Sequence, residues 1–144
     1  MDPTKLGQAN RFKVELDDGD IKDLGMWQKV EGLAVTLKTK PVKAGGNYEY
    51  VMHLPDQVEY SKVTLTRAID RQDSARVQQY LGKQSRELSG NGVTISVYDH
   101  TYTSPLLSWS LRNAKPTEWK CFTLDASGSK IAVETLSFVH EGFL

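Results

Sequence analysis

The stretch KPVKAGGNYEYVMHLPD, Lys40 to Asp56, decides how the rest of the chain is read. It enters a double glycine from a lysine-rich side and leaves it with Tyr48, Tyr50, Met52 and Leu54 alternating against Glu49, Val51 and His53. AGGN is turn chemistry, because glycine reaches positive φ without a steric cost. The alternation that follows has the period of two expected of a strand with one apolar face. Little in the segment blunts a strand edge, which a monomeric β-protein must do with charge, bulges or cover. A hairpin built on it could instead add to the sheet of a neighbouring chain.

Working outward, more strands come into view. Phe12, Val14 and Leu16 alternate with Lys13 and Glu15, and DDGD at 17–20 supplies a turn. An extended region from Trp27 to Lys40 has Val30, Leu33, Val35 and Leu37 as its apolar positions and Gly32 as a bulge. The strand through Tyr48–Leu54 is expected to end at Pro55-Asp56, with EYSKVTLTRAI as the next one. In DRQDSARVQQYLGKQ, Val77, Tyr80 and Leu81 form the apolar stripe of a helix, capped by Asp73 or Ser74 and closed by Gly82. SGNG then turns into the strand VTISVYDH. Leu107, Trp109 and Leu111 mark one face of another, and SGSKIAVETLSFVH reads as a last strand with Ile131, Val133 and Phe138 inward. Six or seven short strands and one helix indicate a mainly β protein, an antiparallel sandwich or barrel with one flanking α-helix. Residues 1–10 read as an N-terminal arm and 11–144 as a single domain.

Composition narrows the function classes. Acidic and basic residues balance at 18 each, so no overall field favours nucleic acid or membrane. The lone Cys121 cannot form an intrachain disulfide and suits a reducing cytoplasm. The expectation is of neither a signal peptide nor a membrane span.

Catalytic chemistry has no candidate here. His53, His100 and His140 lack metal-ligand spacing, so neither a metal nor a cofactor is expected. Tyr98–Ser104 brings Asp, His and Ser together in sequence, but triads are made by fold geometry and no GxSxG elbow is present. SGNGV lacks the lysine of a phosphate loop and precedes a strand. Cys121, beside Trp119 and Phe122, reads as a small buried hydrophobe. Charge segregation says more. Glu15, Asp17, Asp18, Asp20 and Asp23 form an acidic cluster relieved by Lys22, while Lys38, Lys40 and Lys43 form a basic one. Opposite patches on a neutral chain suit head-to-tail association of copies, with Lys38, Lys40, Lys43, Gly45, Gly46, Asn47, Tyr48 and Tyr50 meeting Asp17, Asp18 and Asp20. The alternative is a monomeric β-sandwich binding module with Tyr48, Tyr50 and Tyr102 as its platform.

Several stretches, in order, resemble the tail-tube family of contractile phages and related contractile injection systems. They are NRFKVEL, WQKVEGL, GGNYEYVMHLPDQVEYSKVTLTRAI, SWSLRNAKPTEWK and VETLSFVHEGF. The resemblance implies a structural protein whose strands join those of five other copies in a hexameric ring β-barrel, the rings stacking into a tube around a lumen. It implies as partners further copies of the chain, a tube paralogue, the sheath, the baseplate hub or spike and a terminal cap, with toxin protein or DNA as cargo. No direct membrane binding by the monomer is implied, and assembly would take place in the bacterial cytoplasm. Main tube subunit and baseplate-proximal initiator both stay open, as do phage and injection system. Asn113, Pro116 and Trp119 match the family's Asn-Ala-x-Pro-x-x-Trp element, read here as a corner where Pro116 ends a strand and Trp119 fills the core.

Overall fold

Strands with alternating apolar residues bury one side each, and here those sides meet in one core. The structure, a computed structural model, describes residues 12–17, 23–43, 45–46, 49–87, 90–98, 105–121 and 131–144. The proposed arm at 1–10 lies outside them, as do Asp18, Asp20, Asn47 and Tyr48. In chain order the elements are β1 (Phe12–Leu16), β2 (Asp23–Trp27), β3 (Lys29–Glu31), β4 (Val35–Val42), β5 (Met52–Tyr60), β6 (Val63–Ala68), α1 (Arg71–Glu87), β7 (Asn91–Tyr98), β8 (Pro105–Cys121) and β9 (Val133–Val139). Seven strands are hydrogen-bonded in the order β2-β1-β7-β8-β9-β6-β3, all antiparallel, and β4 and β5 form a separate two-stranded sheet.

Two segments pass from one half of the seven-stranded set to the other. The strand β8 pairs with β7 as far as Ala114 and with β9 from Lys115 onward. At the changeover Asn113 has φ 48°, a left-handed conformation that asparagine tolerates better than most residues. The other crossing is at Gln28, the single residue between β2 and β3, whose N–H donates to the Thr66 carbonyl at 3.1 Å. The first and last strands in the order are therefore consecutive in the chain, and the set closes on itself as a small barrel. Trp27, Leu65, Ile95, Leu111, Leu136 and Phe138 fill it.

The helix α1 lies against β2 and β8. Val77 and Tyr80 are buried, with the Tyr80 ring 6.1 Å from that of Phe138. Its N-cap is Asp70, not Asp73 or Ser74. The Asp70 carboxylate accepts from the amides of Gln72 (3.2 Å) and Asp73 (3.1 Å), and the Asp70 amide in turn donates to Ser74 Oγ (3.0 Å). These bonds to the charged form, that from Asp73 foremost, hold the Asp70 carboxyl below its ordinary range. Gly82 lies within the helix, which continues to Glu87.

The junction of barrel and helix is a buried ion pair. Arg67 Nε donates to Glu134 Oε1 at 2.8 Å, and Arg67 Nη1 donates to the carbonyls of Leu24 and Met26 on β2. Its guanidinium also lies over the Trp27 ring, 3.9 Å from the centroid. Glu134 accepts further bonds from Ser74 Oγ (2.7 Å) on α1 and Trp119 Nε1 (3.0 Å) on β8.

Several boundary expectations change. The prolines do not end strands: β8 runs through Pro116 to Cys121, and β5 runs through Pro55 to Tyr60. Proline withholds one ladder donor, which a strand with an open side tolerates. Trp119 is half-buried at the core's margin and does not fill it. Gly32 (φ 86°) is no bulge within one long strand. It separates β3 from β4, and a Cβ there would strike the Lys62 carbonyl. Ile131 and Leu107 are exposed.

Removing one partner of a buried, hydrogen-bonded charge leaves the other uncompensated, at a cost of about 3–5 kcal/mol. Arg67→Ala and Glu134→Ala are each expected to lower unfolding stability by that order in urea titrations followed by circular dichroism.

Candidate assembly surface

In the barrel β1, β6, β7 and β9 each pair on both sides, whereas β4 and β5 pair only with each other. Of its 17 strand residues only Val35 and Tyr60, at its base, are less than exposed. Cross-strand pairs put Val35 opposite Tyr60, Leu37 opposite Val58, Thr39 opposite Pro55 and Pro41 opposite His53 on one face. That face has no carboxylate, lysine or arginine. Its middle is Leu37 (65% exposed) and Val58 (52%), and Thr39 Oγ1 meets His53 Nδ1 at 3.4 Å. Thr36 opposite Glu59, Lys40 opposite Leu54 and Val42 opposite Met52 make up the other face. There Lys38 Nζ reaches Glu59 Oε1 at 2.6 Å. A register shift opposite Lys38 separates the two halves of the ladder and bends the hairpin.

The contact residues expected from sequence divide accordingly. Lys38, Lys40 and Lys43 are exposed on or beside β4, Gly45 and Gly46 form the turn with Gly46 at φ 78°, and Tyr50 is 62% exposed just before β5. Lys38 is half neutralised within its own hairpin. On the acidic side Asp17 is exposed, its amide donating to the Gly92 carbonyl at 2.7 Å. Glu15 and Asp23 share a single counter-ion, Lys13 Nζ, 3.5 Å and 3.8 Å from them, which offsets only part of their charge. Burial works to lower the Lys13 pKa, but these carboxylates outweigh it and raise the value. Leu37 and Val58, the centre of the neutral face, were missed as contact candidates. Their signal was present as an apolar residue on each side of the turn, but Val58 lay beyond a proline read as a strand end.

Asn113 sits at the changeover of β8, where its Nδ2 donates to Glu141 Oε1 at 2.9 Å. Among the described residues no three His, Cys, Asp or Glu side chains gather where they could hold a metal ion. Nor is any helix among them long and apolar enough to cross a membrane. His100, Tyr102 and Ser104 lie outside the described residues.

A two-stranded sheet with apolar residues exposed on both faces, standing off a closed barrel that has one helix, is the architecture to be compared with known proteins. The sequence matches the family model of the T4-like virus tail tube protein gp19 over residues 8–144. The chain belongs to this family. As a tail-tube protein it is a structural subunit of a phage tail or of a phage tail-like injection particle. Its fold is similar to a chain in the cryo-EM structure of the anti-feeding prophage baseplate, with TM-score 0.74, 23% identity and coverage of 94% of this chain and 92% of that one. It is also similar to a chain of the PVC extracellular contractile injection system sheath-tube complex in the extended state, with TM-score 0.72, 21% identity and coverage of 94% and 88%. A type six secretion system protein shares the fold more distantly, with TM-score 0.58, 14% identity and coverage of 92% and 80%. No curated protein matches the sequence.

Exposed apolar side chains contribute little to the stability of an isolated subunit. Leu37→Asp and Val58→Asp are therefore expected to change unfolding free energy by no more than about 0.5 kcal/mol, in contrast to the core. Urea titration of the two variants beside the parent, at a concentration where sedimentation shows all of them as single subunits, checks this.

Proposed function

We propose that this tail-tube protein assembles into hexameric rings that stack into a tube, and that the β4–β5 hairpin is the element by which one copy grips the next. The observation behind this reading is the hairpin itself: two free strand edges and an uncharged face centred on Leu37 and Val58. Strand addition or face packing by a second copy would cover both. Lys40 and Lys43, with the Gly45–Gly46 turn, Asn47, Tyr48 and Tyr50, would lie along this contact, and Asp17, Asp18 and Asp20 would face them from the neighbouring copy. Such charges orient and steer, while apolar burial supplies the affinity.

The four-stranded half β3-β6-β9-β8 suggests which side faces the lumen. On its face away from the core the residues fall in two rows, Lys29–Thr66–Thr135–Lys120 and Glu31–Thr64–Ser137–Glu118, in which the charged ends are exposed and Thr135 and Ser137 are buried by their neighbours. Each charged end is neutralised along its own strand, Lys29 with Glu31 at 2.7 Å and Lys120 with Glu118 at 3.4 Å. Self-paired charges flanking half-buried threonines would let cargo, protein or DNA, pass without adhering. The sheath, the baseplate hub or spike, a terminal cap and a tube paralogue are the other partners this reading entails. The helix α1 would present the sheath-facing flank. In this reading the chain performs no catalysis, assembles in the bacterial cytoplasm, and consists of one tail-tube domain at 11–144 preceded by an arm at 1–10.

Sedimentation velocity tests the contact. The parent is expected to sediment as rings or larger species, and the combined Leu37→Asp/Val58→Asp variant as a folded monomer. Reversing Lys40 and Lys43 to Glu is expected to weaken assembly mainly at low salt, since exposed charges are screened at high salt. Unchanged assembly of the Leu37→Asp/Val58→Asp variant would remove the hairpin from the contact.

A further inference from the structure

The base of the hairpin is held by residues that follow β9. His140 packs against Tyr60, the last residue of β5, with ring centroids 5.5 Å apart, and Phe143 packs edge-on against the same ring at 5.1 Å. His140 Nε2 lies 3.2 Å from the carbonyl oxygen of Ser61, whose own amide donates to Ala34 just ahead of β4 at 3.3 Å. His140 therefore touches the point where the two ends of the hairpin are tied together. Beyond it the chain turns back onto β8. Glu141 N donates to the Arg112 carbonyl (2.8 Å) and Arg112 N donates to the Gly142 carbonyl (2.9 Å). Gly142 is buried at φ 132°, where a Cβ would meet the Tyr60 ring and the Arg112 guanidinium.

The protonation state of His140 follows from its two bonds. The Gly142 amide donates to Nδ1 at 3.1 Å, so Nδ1 must present its lone pair. The ring proton then sits on Nε2 and is given to Ser61 O. Only the neutral Nε2–H tautomer makes both bonds at once. A second proton could enter only at Nδ1, where it would confront the Gly142 N–H.

We propose that residues 140–144 form an acid-sensitive clasp at the root of the hairpin, closed while His140 is neutral and released when Nδ1 takes a proton. The surroundings oppose protonation. The charged and titratable groups on the elements around the ring are Glu59 and Tyr60 on β5, Lys62 after it, Arg112 and Lys115 on β8, and Glu141 in the clasp. Glu59 is paired with Lys38, and the Glu141 carboxylate keeps its charge, its Oε1 accepting from the neutral Asn113 amide. Burial, and to a lesser extent the Arg112 charge, hold the His140 pKa below its ordinary value against the opposing bond to Ser61.

The sign follows from linkage. A histidine with its pKa depressed in the folded state binds fewer protons there than when released. Its contribution is complete above the ordinary histidine pKa of about 6.5 and is lost as pH falls below it toward the depressed value. The clasp is thus shut at neutral pH and weakens in acid, loosening the hairpin against the barrel without unfolding the barrel.

Hydrogen–deuterium exchange on the intact protein tests this, read on peptides spanning 57–63 and 139–144 and corrected for the intrinsic effect of pH. Between about pH 7.5 and about pH 5, exchange in both peptides is expected to accelerate together by about ten-fold in the parent. In His140→Gln, which cannot titrate, neither peptide should respond to pH. In Gly142→Ala both should exchange fast already at neutral pH. The proposal is overturned if the parent shows no acid response, if His140→Gln responds as the parent does, or if Gly142→Ala leaves the 57–63 peptide protected. Because residues 57–60 lie in the proposed contact between copies, exchange is read at a concentration where sedimentation velocity shows single subunits, so that its outcome is independent of whether copies assemble through the hairpin.

Discussion

Everything outside the hairpin depends on the pairing of Arg67 with Glu134. β2 has β1 on one side, and on the other its carbonyls at Leu24 and Met26 would face the interior without a strand to receive them. Arg67 supplies the missing donors from β6 while its guanidinium covers Trp27. Glu134 neutralises that charge and spends its remaining acceptor capacity on Ser74 of α1 and Trp119 of β8. One ion pair thus joins four strands and the helix at the seam where the barrel closes. A charge so buried is tolerable because Glu134 and the β2 carbonyls meet Nε and Nη1, although Nη2 is left without a hydrogen-bond partner.

That closure has a consequence for assembly. The seven-stranded set keeps open sides at β2, β3 and the later part of β8, whereas β4 and β5 each have a free edge along their length and carry exposed apolar side chains. The contrast between a stable barrel and an open hairpin fits a subunit that folds first and assembles afterwards. The clasp at His140, Gly142 and Phe143 stands between the two parts, and through Tyr60 and Ser61 it sets how firmly the hairpin is held.

Much of this was legible in the sequence, for identifiable reasons. Period-two alternation in FKVEL and VTLTRA reported strands because each has one face on a single core, and Val77 and Tyr80 marked the buried side of the helix. The turn at Gly45–Gly46 and the apolar residues after it pointed correctly to an unusual hairpin. What the sequence hid was long-range. Nothing local connects Arg67 to Glu134, 67 positions away, or tells that Lys13 sits between Glu15 and Asp23. Pro116 and Pro55 read as strand ends because proline is excluded from central ladders, yet each lies in a strand with an open side. Asp70 was passed over as a cap because two other capping residues stood closer to the apolar stripe. Leu37 and Val58 became visible as one surface only when the register of β4 on β5 was known.

The central claim is that copies of this chain close into rings and stack. Negative-stain electron microscopy of the purified protein, alone and mixed with a tube paralogue, tests it most directly. The account predicts six-fold rings, single or stacked into tubes. Particles that remain single subunits at every concentration, with the paralogue present, would contradict it.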